Sequence, residues 1–185
     1  MLDASENKNK ESQSRITELG QRLNVELARK VQELSGYRSE FFGRLRQILS
    51  SRSDVRVVGD RFVLPAELLF DTGKADLLPT AMVELDKIAA ALAGLEQQIP
   101  TDIPWVLRVD GHTDVRPIAP GFQFKSNWDL SAARAIAVVQ YLIAKGVKPQ
   151  RLVAAGFGEF QPIDAGTTEE AYRRNRRIEF KLTER

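Results

Sequence analysis

The sequence contains no cysteine and a single histidine, His112. The first absence excludes disulfides, thiolate metal sites and thiol catalysis. The second leaves little room for histidine chemistry, because a nucleophile needs a neighbouring base and a metal needs two or three further ligands of suitable type. No stretch approaches the roughly 18–20 apolar residues of a membrane span, and no signal-peptide core is present. If the natural protein is exported or anchored, the targeting segment is expected to lie outside these residues. A phosphate loop and a dinucleotide fingerprint are also missing. Gly156-Phe157-Gly158 alone is too weak to imply either, so no cofactor is expected. Charge of one sign is lacking too. Up to Arg52 there are ten basic and seven acidic residues, a net of +3, and beyond it seventeen and eighteen, a net of −1. Neither part has the lopsided field of a nucleic-acid binder.

What is present is a globular composition, 43% hydrophobic and 28% charged over 185 residues. That is room for one ordinary domain and an extension. Residues 1–14 are polar and charged and read as a disordered, frayed tail. Then Ile16, Leu19, Leu23, Leu27, Val31, Leu34, Tyr37, Phe41, Leu45 and Ile48 recur at steps of three and four, as one face of a helix does. A helix of this extent is about 50 Å long, more than the core of a small domain requires. Residues 15–52 therefore read as a stalk or coiled-coil linker that sets distance or oligomeric state. The alternative is a long helix whose later half packs on the domain. Glu26 and Lys30 interrupt a strict heptad.

Ser50 to Asp54 is expected to end the helix, and 55–185 to form the globular domain. Val55–Val58 and Arg61–Leu64 flank Gly59-Asp60 as a hairpin. Pro79 suits a first helical turn, and Leu85, Ile88, Leu92, Leu95 and Ile99 give the helix that follows one buried face. Trp105–Asp110 reads as a central strand. A helix from Ser131 to Lys145 is expected to turn Ile136, Val139, Leu142 and Ile143 inward and to end at Gly146. Arg151–Gly156 reads as a strand, Thr168–Arg174 as a short helix, and Arg177–Leu182 as a half-exposed alternating strand. The expected class is α+β, a two-layer arrangement with a mixed sheet and helices on one face, preceded by the long N-terminal helix.

The chemistry concentrates in Gly111-His112-Thr113-Asp114, at the end of the central strand, and in Asn127-Trp128-Asp129-Leu130-Ser131-Ala132-Ala133-Arg134, at a helix start. His112 with Asp110 and Asp114 could be half of a metal or catalytic site, but no second imidazole or thiolate is available. The plainer reading is a packed ring hydrogen-bonded to backbone, with no metal and no enzyme activity. Asp114 and Arg134 allow two readings. They could form an ordinary salt bridge between loop and helix. Left unpaired in one pocket, they would suit a zwitterion, with Asp114 taking an ammonium and Arg134 a carboxylate through its planar fork.

Between Phe62 and Leu182 the ordered pieces Phe70-x-x-Gly73-x-x-x-Leu77, Val109-x-Gly111-His112-Thr113-Asp114 and Asn127-x-x-Leu130-Ser131-x-x-Arg134-Ala135 continue with Gly146, Arg151, Gly156-x-Gly158, Pro162 and Asn175-Arg176-Arg177-Ile178-Glu179. Together they resemble the peptidoglycan-binding domain of the OmpA/MotB C-terminal family. The resemblance implies an OmpA-like mixed sheet with a groove at one end, and a ligand, the diaminopimelate of the peptidoglycan stem peptide. It carries binding roles onto Asp114 and Arg134, with Thr113, Asn127 and Leu130 lining the site and Asn175 and Arg177 beside the groove. Arg176 and Arg177 are not ranked by it. The long 115–126 loop and Ser126-Asn127-Trp128-Asp129-Leu130-Ser131 are similar to the MotB-like branch anchored in the inner membrane. Gly73 departs from the Asn or Asp of many outer-membrane members. The implied protein is a periplasmic, non-enzymatic wall anchor, a homodimer through its N-terminal helix, with an inner-membrane channel partner and no nucleic acid. Alternatives are an outer-membrane tether of lipoprotein or porin type, a coiled-coil scaffold without ligand binding, and a wall-cleaving enzyme.

Overall fold

A computed structural model describes residues 2–48 and 56–184. The expected helix end at Ser50–Asp54 lies outside the described residues. The chain divides into two units, residues 1–36 and 37–185. Helix α1, Leu2–Ile48, contributes to both. No helix among the described residues is long and apolar enough to cross a membrane.

In the first unit α1 spans from Leu2, so residues 2–14 of the disordered tail expected over 1–14 are helical. No proline or glycine occurs before Gly20. Glu11–Arg15 (2.8 Å) and Glu18–Arg22 (2.6 Å) pair one turn apart, each contributing a few tenths of a kcal/mol, about 0.3–0.5. Ile16, Leu19, Leu23, Leu27 and Val31 form a stripe that is half to two-thirds exposed.

The second unit opens with the last turns of the same helix. Phe41 and Phe42 are buried, and the Phe42 ring lies parallel to Phe62 at 6.5 Å. The globular unit thus starts at Tyr37, ahead of the boundary at 55, because two adjacent aromatics commit these turns to its core.

The strands are β1 (Arg56–Val58), β2 (Arg61–Pro65), β3 (Trp105–His112), β4 (Leu152–Gly156) and β5 (Arg177–Glu184), and the helices α2 (Pro79–Glu96), α3 (Asn127–Ala144) and α4 (Glu169–Asn175). The sheet order is β1-β2-β5-β3-β4. All neighbours are antiparallel except β3 and β4. The α+β class and the mixed sheet match the expectation from the sequence.

Strand alternation sorts the side chains. Leu107, Val109, Phe180, Leu182, Phe62 and Leu64 are buried and share one side through the pairs Leu107↔Leu182, Val109↔Phe180 and Phe62↔Phe180. The opposite side carries Arg108↔Lys181, Asp110↔Glu179 and His112↔Arg177.

Two glycines paired across β3 and β4, Gly111 and Gly156, seat α3. A Cβ on Gly111 would collide with the Ser131 carbonyl, and one on Gly156 with the Ala132 backbone. This close seating corrects the expected inward face of α3. Ser131, Arg134, Ala135, Val138 and Leu142 are buried, whereas Ile136 and Ile143 are 46% and 37% exposed. Small residues must face the glycines, so bulk misreports the phase of this helix. The same seating places the first turns of α3 against the end of β3.

Candidate functional site

Beyond His112 the chain leaves the sheet but stays tied to it. Thr113 N donates to Gly158 O at 2.9 Å, and Gly158 N donates to Ser131 Oγ at 2.9 Å. Asn127 Nδ2 donates to the carbonyls of Asp114 (3.3 Å) and Arg116 (3.0 Å). The N-terminus of α3 is capped by Ser126, whose Oγ accepts from Asp129 N at 3.1 Å and donates to Asp129 Oδ2 at 2.8 Å, an N-cap whose hydroxyl is oriented by the Asp129 carboxylate. Strand end, loop and helix start are thereby fixed around one cavity of about 460 Å³.

Its walls include Phe70, Gly73, Thr113, Asp114, Arg116, Phe122, Asn127, Leu130, Arg134, Glu169 and Arg176. Asp114, Arg134, Thr113, Asn127 and Leu130 are thus brought together. Thr113 is 6% exposed and its Oγ1 has no hydrogen-bond partner, so the wall holds an unspent polar group.

The expected alternative of an Asp114–Arg134 salt bridge does not form among the described residues. Arg134, only 4% exposed, donates instead to two carbonyls, Nε to Lys74 O (2.9 Å) and Nη2 to Asp71 O (3.1 Å). Its guanidinium lies over the Phe70 ring at 5.1 Å. Burial pushes its pKa down to about 10, Glu67 opposes this and Arg176 adds to it. It remains a cation at neutral pH, with no carboxylate at ion-pair distance among the described residues. Glu67, the acid that acts on it from farther away, is bound to Arg176 at 2.6 Å.

Asp114 is the converse. Burial acts to raise its pKa, but hydrogen bonds from Arg116 and Arg176 outweigh burial and hold the carboxyl below its usual range. Arg116 Nη2 (2.7 Å) and Arg176 Nη1 (2.6 Å) both donate to Oδ2.

Asn175 and Arg177 do not line the cavity. Asn175 Oδ1 accepts from Ile163 N (2.9 Å) and Asp164 N (3.0 Å), clamping the loop before α4. Arg177, 2% exposed, donates to Glu179 Oε1 (2.6 Å) and to the carbonyls of Asn175 and Gln161. Arg176 reaches the cavity in its place. The signal was available in the alternation of β5: residue 176 has the parity of Ile178 and Phe180, the side on which α3 lies, while 177 has the parity of Glu179. Arg116, Glu169 and Phe122 had no comparable local signal.

His112 is buried and stacks on Phe157 at 5.0 Å. Neither ring nitrogen has a hydrogen-bond partner, so the backbone bond expected for it is absent. Burial first, then the Arg177 charge, push its pKa down to about 4. Asp110, His112 and Glu179 offer donor atoms within 4.8 Å of one another. This set does not fit a metal. Arg108 holds both oxygens of Asp110, and Arg61 and Arg177 hold Glu179. A cation would enter a ring of three guanidiniums.

Gly73 has φ +70°, and a Cβ there would overlap the Phe122 ring. The glycine and the long 115–126 loop are therefore one feature: the loop lays Phe122 on the turn at residue 73.

Comparison with known proteins gives a match to the OmpA family model over residues 69–176. A Bacillus subtilis protein of uncharacterised role, YtxE, is 40% identical over 136 residues, 73% of this chain, and the chain spans about half (52%) of that relative. The structure of a MotB-like protein from Desulfovibrio vulgaris superposes with a TM-score of 0.67 at 30% identity, covering 83% of this chain and 98% of that one. The cell wall anchor of the type VI secretion system of Pseudomonas aeruginosa gives 0.62 at 30% identity, covering 77% and 98%.

Proposed function

Since the chain belongs to the OmpA family and carries an OmpA/MotB-like domain, we propose that it is a non-enzymatic peptidoglycan-binding module that holds the diaminopimelate of the stem peptide. One observation carries the reading. Arg134 is a buried guanidinium that faces a cavity without a carboxylate partner, and Asp114 stands in the same wall. Burying an uncompensated charge is costly, so a site that keeps one is suited to an anionic group from outside. The free end of diaminopimelate carries a carboxylate for Arg134 and an ammonium for Asp114. The Thr113 hydroxyl supplies a further polar contact. Binding needs no general base, and the lone histidine lies on the charged face of the sheet, away from this wall.

The MotB-like and wall-anchor relatives support a setting in the periplasm, with the domain tethering an inner-membrane assembly, of stator or other ion-driven type, to the wall. The exposed stripe of Ile16, Leu19, Leu23, Leu27 and Val31 supports homodimerisation through α1.

The test is sedimentation with purified diaminopimelate-type sacculi. Wild type is expected in the pellet. Asp114→Asn and Arg134→Ala are each expected to lose binding by roughly 2–4 kcal/mol, the range for a buried charged pair losing one partner. Wild type remaining in the supernatant, or both variants pelleting equally well, refutes the reading.

A further inference from the structure

The carboxylate assigned to the ligand's ammonium is already saturated. Asp114 Oδ1 accepts from Arg116 N (2.9 Å) and Arg116 Nε (3.2 Å). Oδ2 accepts from Arg116 Nη2 (2.7 Å) and Arg176 Nη1 (2.6 Å), with Arg116 Nε also at 3.2 Å. A carboxylate has about four lone-pair sites, so an added ammonium requires one guanidinium to leave.

The two arginines are held very differently. Arg176 is anchored by Glu67 (2.6 Å) and Glu169 (2.9 Å), its side chain is 22% exposed, and its own carbonyl accepts from Ala66 N at 2.9 Å. It follows directly on α4 and is part of the frame. Arg116 stands on the 115–126 loop with its side chain 48% exposed. Its remaining partners are Glu169, 67% exposed, at 2.9 Å, and the Tyr172 ring, 4.6 Å below its guanidinium. Neither partner depends on Asp114. Released from the carboxylate, the Arg116 side chain keeps an acid to pair with and an aromatic face to lie on.

We propose that Arg116 is a built-in competitor for the ammonium subsite, an affinity-setting residue that any ligand cation must displace from Asp114 before it binds. The identity of the natural ligand rests on the zwitterion reading given above. The competition requires only a cation. Displacing Arg116 opposes every cation to the same extent and raises the threshold for all of them. A simple amine has nothing to set against that. A ligand whose ammonium is accompanied by a carboxylate gains the unpaired Arg134 as well, and stays above the threshold. Arg116 thus lowers the affinity for amine and zwitterion alike, and it is Arg134 that separates them, so that a weak amine falls below useful binding while the zwitterion stays above it.

The experiment compares wild type with Arg116→Gln, using meso-diaminopimelate and n-butylammonium as probes, by calorimetry and by amide shifts. Gln retains the backbone N–H that Asp114 Oδ1 accepts from and removes the guanidinium, and the amide spectrum reports that the fold is kept. Arg116→Gln is expected to bind both probes about threefold to tenfold tighter, the range for releasing a part-exposed ion pair that masks a site. Adding Asp114→Asn to Arg116→Gln is expected to abolish the gain. Equal or weaker binding of n-butylammonium by Arg116→Gln overturns the competitor, and weaker binding makes Arg116 a ligand contact. The zwitterion reading fails separately, if meso-diaminopimelate binds no tighter than n-butylammonium in either protein.

Discussion

The pH dependence of stability offers a sharp test of the charged side of the sheet, because His112 is the only histidine in the chain. Its neutral ring is buried on Phe157, with both nitrogens unpartnered. Burial and the nearby Arg177 push its pKa from 6.5 down to about 4, with Glu179 opposing. In the unfolded chain the imidazole takes a proton near pH 6.5, and the folded protein refuses it until about pH 4. Between these values the unfolded state binds more protons, so stability falls as pH falls through this window and the loss is complete below it. At about 1.4 kcal/mol per tenfold change, the displacement corresponds to a total loss of about 3 kcal/mol, of which about 1.4 kcal/mol is gone by pH 5.5. His112→Phe keeps a ring against Phe157 and removes the titration. Equilibrium urea unfolding of both proteins between pH 7.5 and 4 is the assay, and the carboxylates, among them Asp110, whose pKa burial raises, are common to both. Wild type should lose about 3 kcal/mol more than His112→Phe over this range. Parallel profiles would refute the reasoning. A wild-type profile that rises on acidification would mean that Glu179, 3.7 Å from Nε2, captures the imidazolium.

Other expectations follow from packing and charge. Gly111→Ala places a methyl group on the Ser131 carbonyl, which cannot move without shifting α3, and is expected to cost about 3 kcal/mol or more, or to prevent folding, as read by circular dichroism and thermal melting. Gly73→Ala meets both a left-handed backbone and the Phe122 ring. A loss of about 1–3 kcal/mol is expected, with the steric part relieved when Phe122→Ala is added, so a double mutant no better than the sum of the singles counts against the contact. Leu19→Asp with Leu23→Asp in the full chain is expected to convert a dimer to a monomer in analytical ultracentrifugation. A wild-type mass already that of one chain removes the dimer.

Much of the fold was legible because its signals are local. The Gly59-Asp60 turn, Pro79 at the first turn of α2 and the alternation of β5 each act within a few residues, although Arg177–Phe180 is buried on both faces, where the alternation predicts a half-exposed strand. The phase of α3 was not legible in the same way. Its buried side is set by a pair of glycines on two distant strands, and apolar bulk pointed instead to Ile136 and Ile143. The two ends of the site were readable as residue types, since a strand-end carboxylate and a helix-borne arginine suggest a clamp. Which arginine after α4 enters the cavity depended on strand parity, which favours Arg176 over Arg177. That Asp114 is occupied by Arg116 could not be read at all, because a loop's path across a cavity leaves no periodicity in the sequence.

The meeting of Gly73 and Phe122 reaches beyond this chain. The two positions are separated by forty-nine residues yet share one volume, so neither can drift alone. A relative that shortens the 115–126 loop loses the ring and frees position 73 for a side chain, and one that gains such a loop can accept it only with a glycine already in place. Loop length and the identity of residue 73 should therefore covary across homologous sequences. The pair then serves as a diagnostic for telling, from sequence alone, which relatives close this end of the cavity with an aromatic cover and which leave it open to a side chain from the turn.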